Sequence, residues 1–335
     1  MNRTLLYLSL LILAFSSCKN TKKSGQTLLP HVIGGMNDVV VIMSKNNWEG
    51  FAGDTIRKTL LQQVPAIPQD ERLFDLVWMP HEALDQGIKK QRNIIVTKIG
   101  PDYKPNVQIR RSLWAQSQIV VQVMAPTPEA FAEVLAENAD KIISQIQQAE
   151  LERLMNSYKE SQEPTVINKL AKDYNVKLTV PKGYTINLED EDFIWLDFRH
   201  RNVIEGVLVY SYPYTDTNTF STDFLIAKRN EILKKYIPGE TEGSYPVTET
   251  RFPILASEYK LNGNRYTYEL RGLWHVMEGM AMGGSFVSIT QYDEARKRIV
   301  TVDGFLFAPG EEKRNLLKRL DAILYSLDFP EEEKE

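Results

Sequence analysis

The chain has almost no cysteine: Cys18 is the one thiol in 335 residues. A single thiol closes no intramolecular disulfide, so the fold must be held by its core. Histidine is scarce as well. There are four, and none stands in an HExxH pattern or at helical ligand spacing with another, which removes the common sequence signature of a zinc hydrolase. A GxSxG elbow is absent. Gly34-Gly35 precedes a strand instead of following one, so it is not a phosphate-binding loop. An excess of charge is missing too. Lysine and arginine number 40 against 44 aspartate and glutamate, a formal net charge of −4, so no nucleic-acid partner is expected. The N-terminal apolar run, Leu5 to Phe15, falls well short of the roughly 20 residues that span a bilayer.

What is present begins at that run. Arg3 supplies a positive charge, Leu5 to Phe15 is apolar except for Ser9, and Ser16 and Ser17 are small. This order is that of a secretory signal peptide. Small residues followed by Cys18 resemble the lipobox of bacterial lipoproteins, with Phe15 where leucine is usual. The resemblance implies that the Cys18 sulfur receives a diacylglyceryl group. A peptidase then cuts before it, and the new amino group is acylated, with palmitate as the expected acyl type. Each buried CH₂ adds about 0.8 kcal/mol of membrane affinity, so several chains give a lasting anchor. KNTKKSGQT (19–27) is polar and basic and reads as a flexible tether. Lys19 is not the aspartate that retains lipoproteins in an inner membrane. The acidic cluster that resembles a surface-export signal in Bacteroidota is also lacking. The expected location is therefore the outer membrane, facing the periplasm. The expected partners are the membrane, through lipid on Cys18, and an unidentified envelope protein or ligand. No cofactor is expected.

With 43% apolar and 25% charged residues the composition is ordinary for a globular protein, and the length suits two domains. The expected division is signal peptide 1–17, tether 18–29, a first α+β unit 30–162, a second α+β unit 163–330, and an acidic tail 331–335. SQEPT (161–165) marks the boundary. The expected fold class is α+β, with largely antiparallel sheets packed by amphipathic helices. NDVVVIM (37–43) is continuously apolar and reads as a central strand. Thr127-Pro128 reads as an N-cap followed by proline at the first helical position, opening one helix to about Tyr158. Asn262-Gly263-Asn264 is a hairpin signal. Both units end on a strand, a proline-marked turn and a helix, in APTPEAFAEVL (125–135) and APGEEKRNLL (308–317). The order of elements in the second unit is similar in shape to PsbP- and Mog1-like α/β/α sandwiches, which implies no shared function.

Four stretches, GGMNDVVVIM (34–43), MAPT (124–127), WHVMEGMAMGGSF (274–286) and the segment 283–329, carry a further resemblance. With the lipobox they are similar to an uncharacterised lipoprotein family of Bacteroidota, a domain of unknown function. That resemblance brings no activity and no catalytic residues.

One stretch is chemically unusual. WHVMEGMAMGG (274–284) crowds His275, Met277, Met280 and Met282 together. Imidazole and thioether ligands suit copper, Cu(I) in particular. Methionines beside glycines also fill irregular gaps or contact peptide and lipid surfaces. His31, His81 and His200 are scattered. Glu189 to Asp192 reads as a solvated turn that lacks calcium-loop spacing. Asp197 and His200 point to opposite faces of a strand. Lys313, Arg314, Lys318 and Arg319 read as a solvated face opposite the leucine stripe of the last helix, with lipid contact as the functional alternative. The reading these residues favour is a lipid-anchored, non-enzymatic binding or assembly protein of the envelope. A hydrolase whose site forms only in the fold, and a copper-binding protein, are the alternatives.

Overall fold

A computed structural model describes residues 29–331. The signal peptide 1–17, Cys18, the tether to residue 28 and the tail beyond Glu331 lie outside the described residues. Among the described residues no helix is long and apolar enough to cross a membrane.

The first unit contains β1 (Asp38–Ile42), α1 (Lys45–Glu49), α2 (Phe51–Leu60), β2 (Asp75–Met79), β3 (Asn93–Ile99), β4 (Asn106–Arg111), β5 (Ile119–Ala125), α3 (Pro128–Glu137) and α4 (Ala139–Glu160). Its strands lie in the order β2-β1-β3-β5-β4. The mixed α+β class holds, but this sheet is not largely antiparallel. β1 pairs in parallel with β2 and β3, and β3 with β5; β4 alone runs antiparallel. The connections explain it. β1 returns to β2 through two helices, and a crossover of this length lets strands align in one direction. Helices α2, α3 and α4 cover one face through Ile56, Leu60, Phe131, Leu135, Ile142 and Ile146. On the other face, side chains from the loop segments 80–92 and 112–118 cover Val40, Ile42 and Ile94. The helix expected to run unbroken from Thr127 stops at Asn138. That residue leaves helical geometry, and its Nδ2 donates to the Val134 carbonyl at 2.9 Å. The Thr127 cap forms as expected, accepting from the Ala130 N–H at 3.2 Å.

The second unit contains α5 (Pro164–Asp173), β6 (Thr185–Asp190), β7 (Phe193–His200), β8 (Val203–Pro213), α6 (Thr222–Tyr236), β9 (Tyr245–Glu249), β10 (Leu255–Leu261), β11 (Arg265–Met277), β12 (Gly283–Asp293), β13 (Arg298–Phe307) and α7 (Arg314–Leu324). The antiparallel sheet runs β10-β11-β12-β13-β8-β7-β6, with β9 added to the far end of β11. Helices α5 and α7 lie on one face, where Leu170, Leu320 and Ile323 pack on Val207, Ile289 and Val302. Helix α6 lies on the other, over Leu208, Tyr210 and Phe286. The result is an α/β/α sandwich. The sheets of the two units differ in size and direction.

The units meet at the N-terminus of α7. Glu71 of the first unit caps it: its carboxylate accepts from the Lys313 and Arg314 N–H groups at 2.7 and 2.8 Å. Arg314 forms a two-pronged pair with Asp75, 2.6 Å at its shorter contact, and also donates to the Arg72 carbonyl. Lys313 Nζ reaches Gln69 Oε1 at 2.6 Å. Lys313 is 7% exposed and Arg314 9%. The expected solvated basic face is therefore corrected. The partners of these cations lie about 240 residues earlier in the chain.

A second polar cluster borders this seam. Glu205 on β8 is 1% exposed and lies 2.9 Å from Arg319 of α7, close to Tyr184 and to Tyr158 of α4. Burial pushes its carboxyl up to about 7, against the pull of Arg319. The folded state therefore holds this proton more tightly than the unfolded chain, whose value is near 4.5. The stabilisation is full below pH 4.5 and is lost as pH rises to about 7. Glu205→Gln should abolish that contribution. Between pH 4.5 and 8, wild type should lose about 3 kcal/mol relative to the variant in urea unfolding. A constant difference between the two across this range would show that Glu205 does not titrate there.

Candidate functional site

The α6 face of the second sheet follows a size alternation. Trp274 on β11, Phe305 and Phe307 on β13, and Trp195 on β7 are large. Between them stand Gly284 on β12, opposite Trp274, and Gly206 on β8, opposite Phe305. A Cβ on Gly206 would run into the Phe305 ring, and one on Gly284 would strike the Leu306 carbonyl oxygen and come to 3.0 Å from Trp274 Nε1. The aromatics thus lie across glycines. Trp274 meets Phe305 edge to face at 6.0 Å between centroids, and Trp195 stands 6.2 Å from the same ring.

These rings wall a cavity of about 210 Å³ below the C-terminal end of α6. Leu233 and Ile237 close it from the helix side, and Val276 and Met282 from the β11–β12 turn. Pro238 to Glu240 form part of its rim. The indole N–H groups of Trp195 and Trp274 find no acceptor among the described residues.

Arg229 of α6 also borders this cavity, and its charge is already matched. Nε and Nη2 of Arg229 grip the Asp303 carboxylate at 2.7 and 3.2 Å, and Nη1 donates to Thr248 Oγ1 at 3.0 Å. Its guanidinium lies 3.8 Å from the centre of the Phe286 ring. Arg229 is 2% exposed and Asp303 fully buried. The cavity therefore offers apolar and aromatic walls. Arg199 and Glu240 are its other charged neighbours, and among the described residues no histidine or cysteine lines it.

The His/Met stretch is divided by the sheet. His275 Nδ1 lies 3.1 Å from Glu249 Oε2. Hydrogen bonds from Arg251 hold the Glu249 carboxyl down at about 2. Met282 borders the aromatic cavity with Trp274 and Val276, the even-numbered face of β11. Met277 is half-exposed and Met280 is 58% exposed in the turn. His275 and Met282 therefore stand on opposite faces. Among the described residues no group of three or more His, Cys, Asp or Glu is placed to hold a metal ion. Strand pairing sets Ser285 on the His275 face, diagonal to it, but Ser285 is fully buried. A substrate has no access to it.

The remaining candidates are dispersed. His31 is exposed and its backbone bridges to Gln116. His81 Nε2 meets the Thr97 carbonyl at 2.7 Å, and His200 ends β7 in solvent. Glu189 to Asp192 are exposed, but the turn expected over all four is confined to Glu191 and Asp192: Glu189 and Asp190 end β6, paired with Ile194 and Phe193 of β7. Asp197 is held by Arg199 and Asn187, at 2.7 and 2.9 Å. Sequence reasoning missed Trp195, Arg229, Trp274 and Phe305. The signal was present: isolated glycines inside strands mark close approach by a neighbour.

Two family models match the chain. Residues 163–326 match one domain of unknown function, DUF4837, and residues 32–159 match another, DUF8532. Together they cover most of the chain and bring no activity. No curated protein matches it. Among solved structures it is similar to the Ran-binding protein Mog1p of Saccharomyces cerevisiae and to a mutant of Mog1. Each is 10% identical with a TM-score of 0.30, covering 46% of this chain and 90% of the other. The sandwich assignment rests on the strand order described above.

Breaking the buried ion pair tests how it shapes this site. Arg229→Met strands the Asp303 carboxylate and should cost about 3–5 kcal/mol in denaturant unfolding. Arg229→Met combined with Asp303→Leu should recover most of that loss. Equal losses in the single and double variants would contradict this account.

Proposed function

We propose that the protein is a lipid-anchored, non-enzymatic binding module of the cell envelope. Its second unit holds a small apolar group, an aromatic ring or a short acyl segment. One observation carries the reading: the best-formed cavity is walled by Trp195, Trp274, Phe305 and Phe307, and its buried arginine is consumed by Asp303. Ligand sites are concave and mostly apolar, with few polar groups to orient the guest. A hydrolase needs a nucleophile within reach of a base, and the described residues lining this cavity include one carboxylate, Glu240, and no serine, cysteine or histidine beside it. The lipobox-like Cys18 supports the anchor, and Lys19 supports an outer-membrane, periplasm-facing position in a bacterium of the Bacteroidota type.

The neutral probe N-phenyl-1-naphthylamine should brighten on binding the chain and quench Trp195 and Trp274 emission. Met282→Trp fills the cavity from its turn side, and Gly206→Ala drives Phe305 into it. Either should weaken the probe by about tenfold or more, near 1.4 kcal/mol. Undiminished binding by both variants would place the probe elsewhere and remove this reading.

The anchor has its own test. Cys18→Ser should shift the protein from the membrane fraction to a soluble or unprocessed pool. Processed Cys18→Ser protein that stays with the membrane would refute lipidation.

A further inference from the structure

The larger inter-unit opening has a different chemistry from the aromatic cavity. It holds about 380 Å³ between α4 of the first unit and α7 with β11 of the second. Arg271, Arg314 and Lys318 line it against a single carboxylate, Asp321. Gln147 and Gln148 of α4 bring amide donors to the opposite wall.

The three cations are not equivalent. Arg271 pairs with Glu269 and with Asp321, the latter at 2.9 Å, and donates to the Tyr325 hydroxyl at 2.7 Å. Arg314 is spent on Asp75 at 2.6 Å. Lys318 makes no salt bridge and no hydrogen bond with any described residue, although Asp321 is one turn away on the same helix. Burial pushes its ammonium down; the nearby Asp321 and Glu150 carboxylates oppose this, and Arg271 and Arg314 add repulsion. Lys318 is half-buried, and drawing a cation part-way out of water without a bonded partner costs free energy. The leucine stripe of α7 does not require it, because Leu317, Leu320 and Leu324 carry the packing.

We propose that this cleft binds a small phosphate-class oxyanion, inorganic phosphate or a phosphate monoester, received by Lys318. With Arg271 paired to Glu269 and Asp321 and Arg314 paired to Asp75, Lys318 is the cation left to meet a guest in the cleft. Donors stand on two sides, so an anion with acceptors in several directions suits the space better than a planar carboxylate. A lysine ammonium is a compact point charge of the kind that binds phosphate, and clefts between domains are frequent ligand sites. The bound anion would touch both units and stabilise their docking by mass action. This site is independent of the aromatic cavity and of the anchor.

The test uses the full chain at constant ionic strength, with thermal unfolding and calorimetric titration as readouts. Inorganic phosphate and glycerol phosphate are the probes, and chloride is the control. At least one probe should raise the melting temperature in a saturable way, with no such response to chloride. Lys318→Met should weaken binding by about tenfold or more, and Lys318→Arg should retain most of it. Gln148→Leu alters the other wall without touching α7 and should weaken the same response. Should Lys318→Met fail to fold, Gln148→Leu decides. Naphthylamine binding should be unchanged by phosphate. The inference falls if neither soluble anion binds saturably, or if Lys318→Met or Gln148→Leu binds as wild type does. It also falls if only phosphatidylglycerol vesicles hold the protein, since a headgroup site in this cleft would accept glycerol phosphate.

Discussion

The Arg229–Asp303 pair sits where an apolar contact would be expected. Leu225, Arg229, Leu233 and Ile237 are spaced by four and form the buried face at α6 and its C-terminal end. A charged residue therefore occupies the middle of a hydrophobic stripe. Burying both charges costs several kcal/mol per ion before the pair is formed, so the arrangement adds little net stability over apolar residues. What it does add is registration. A leucine can slide over a sheet, whereas a guanidinium that must meet Asp303 and Thr248 together cannot. With α6 fixed along the sheet, its end stops short of Trp195 and Trp274, and the space beyond becomes the cavity.

The first unit uses the same device with the signs exchanged. Glu150 of α4 is fully buried and meets Arg92 at 2.7 Å, Arg153 at 2.9 Å and the Asn93 amide at 2.7 Å. In both units one charged residue from a helix is pinned to polar groups on or beside the sheet. Beyond Cys18 the chain has no cysteine, so these pins take a positioning role that disulfides hold in many small domains. They act by direction and not by burial, so hydrophobic patterning does not reveal them.

That difference explains what could be read from the residues. The second unit was legible almost strand by strand, because β7, β8 and β11 to β13 are long, apolar and joined by short turns. Parallel pairing in the first sheet was not. A strand such as Asn93–Ile99 carries the same composition whichever way its neighbour runs, and only the length of the connection tells. β4 escaped notice because Asn106–Arg111 is an exposed, polar edge. The cavity was hidden for a third reason. Trp195, Trp274 and Phe305 are far apart in sequence, and each alone reads as an ordinary core aromatic. Their shared phase across glycines appears only when the strand registers are set side by side.

The accounting of buried charge separates fold from function in the same way. Asp293 is held by Arg296 and Arg298, Asp321 by Arg271, Asp303 by Arg229 and Glu150 by two arginines. Arginine serves in each case, as its rigid planar fork of donors predicts. Lys318 departs from this pattern in residue type, in lacking a partner and in facing a cleft. Glu205 departs from it differently: its arginine is present, yet burial outweighs the attraction. Both exceptions lie where α7 contacts the first unit. Elsewhere the structure matches buried charge within a unit. At the seam between units Lys313 meets only neutral oxygens, Lys318 has no bonded partner and Glu205 is incompletely matched, and an imperfect match is what a proton or a ligand needs in order to shift the docking of one unit on the other.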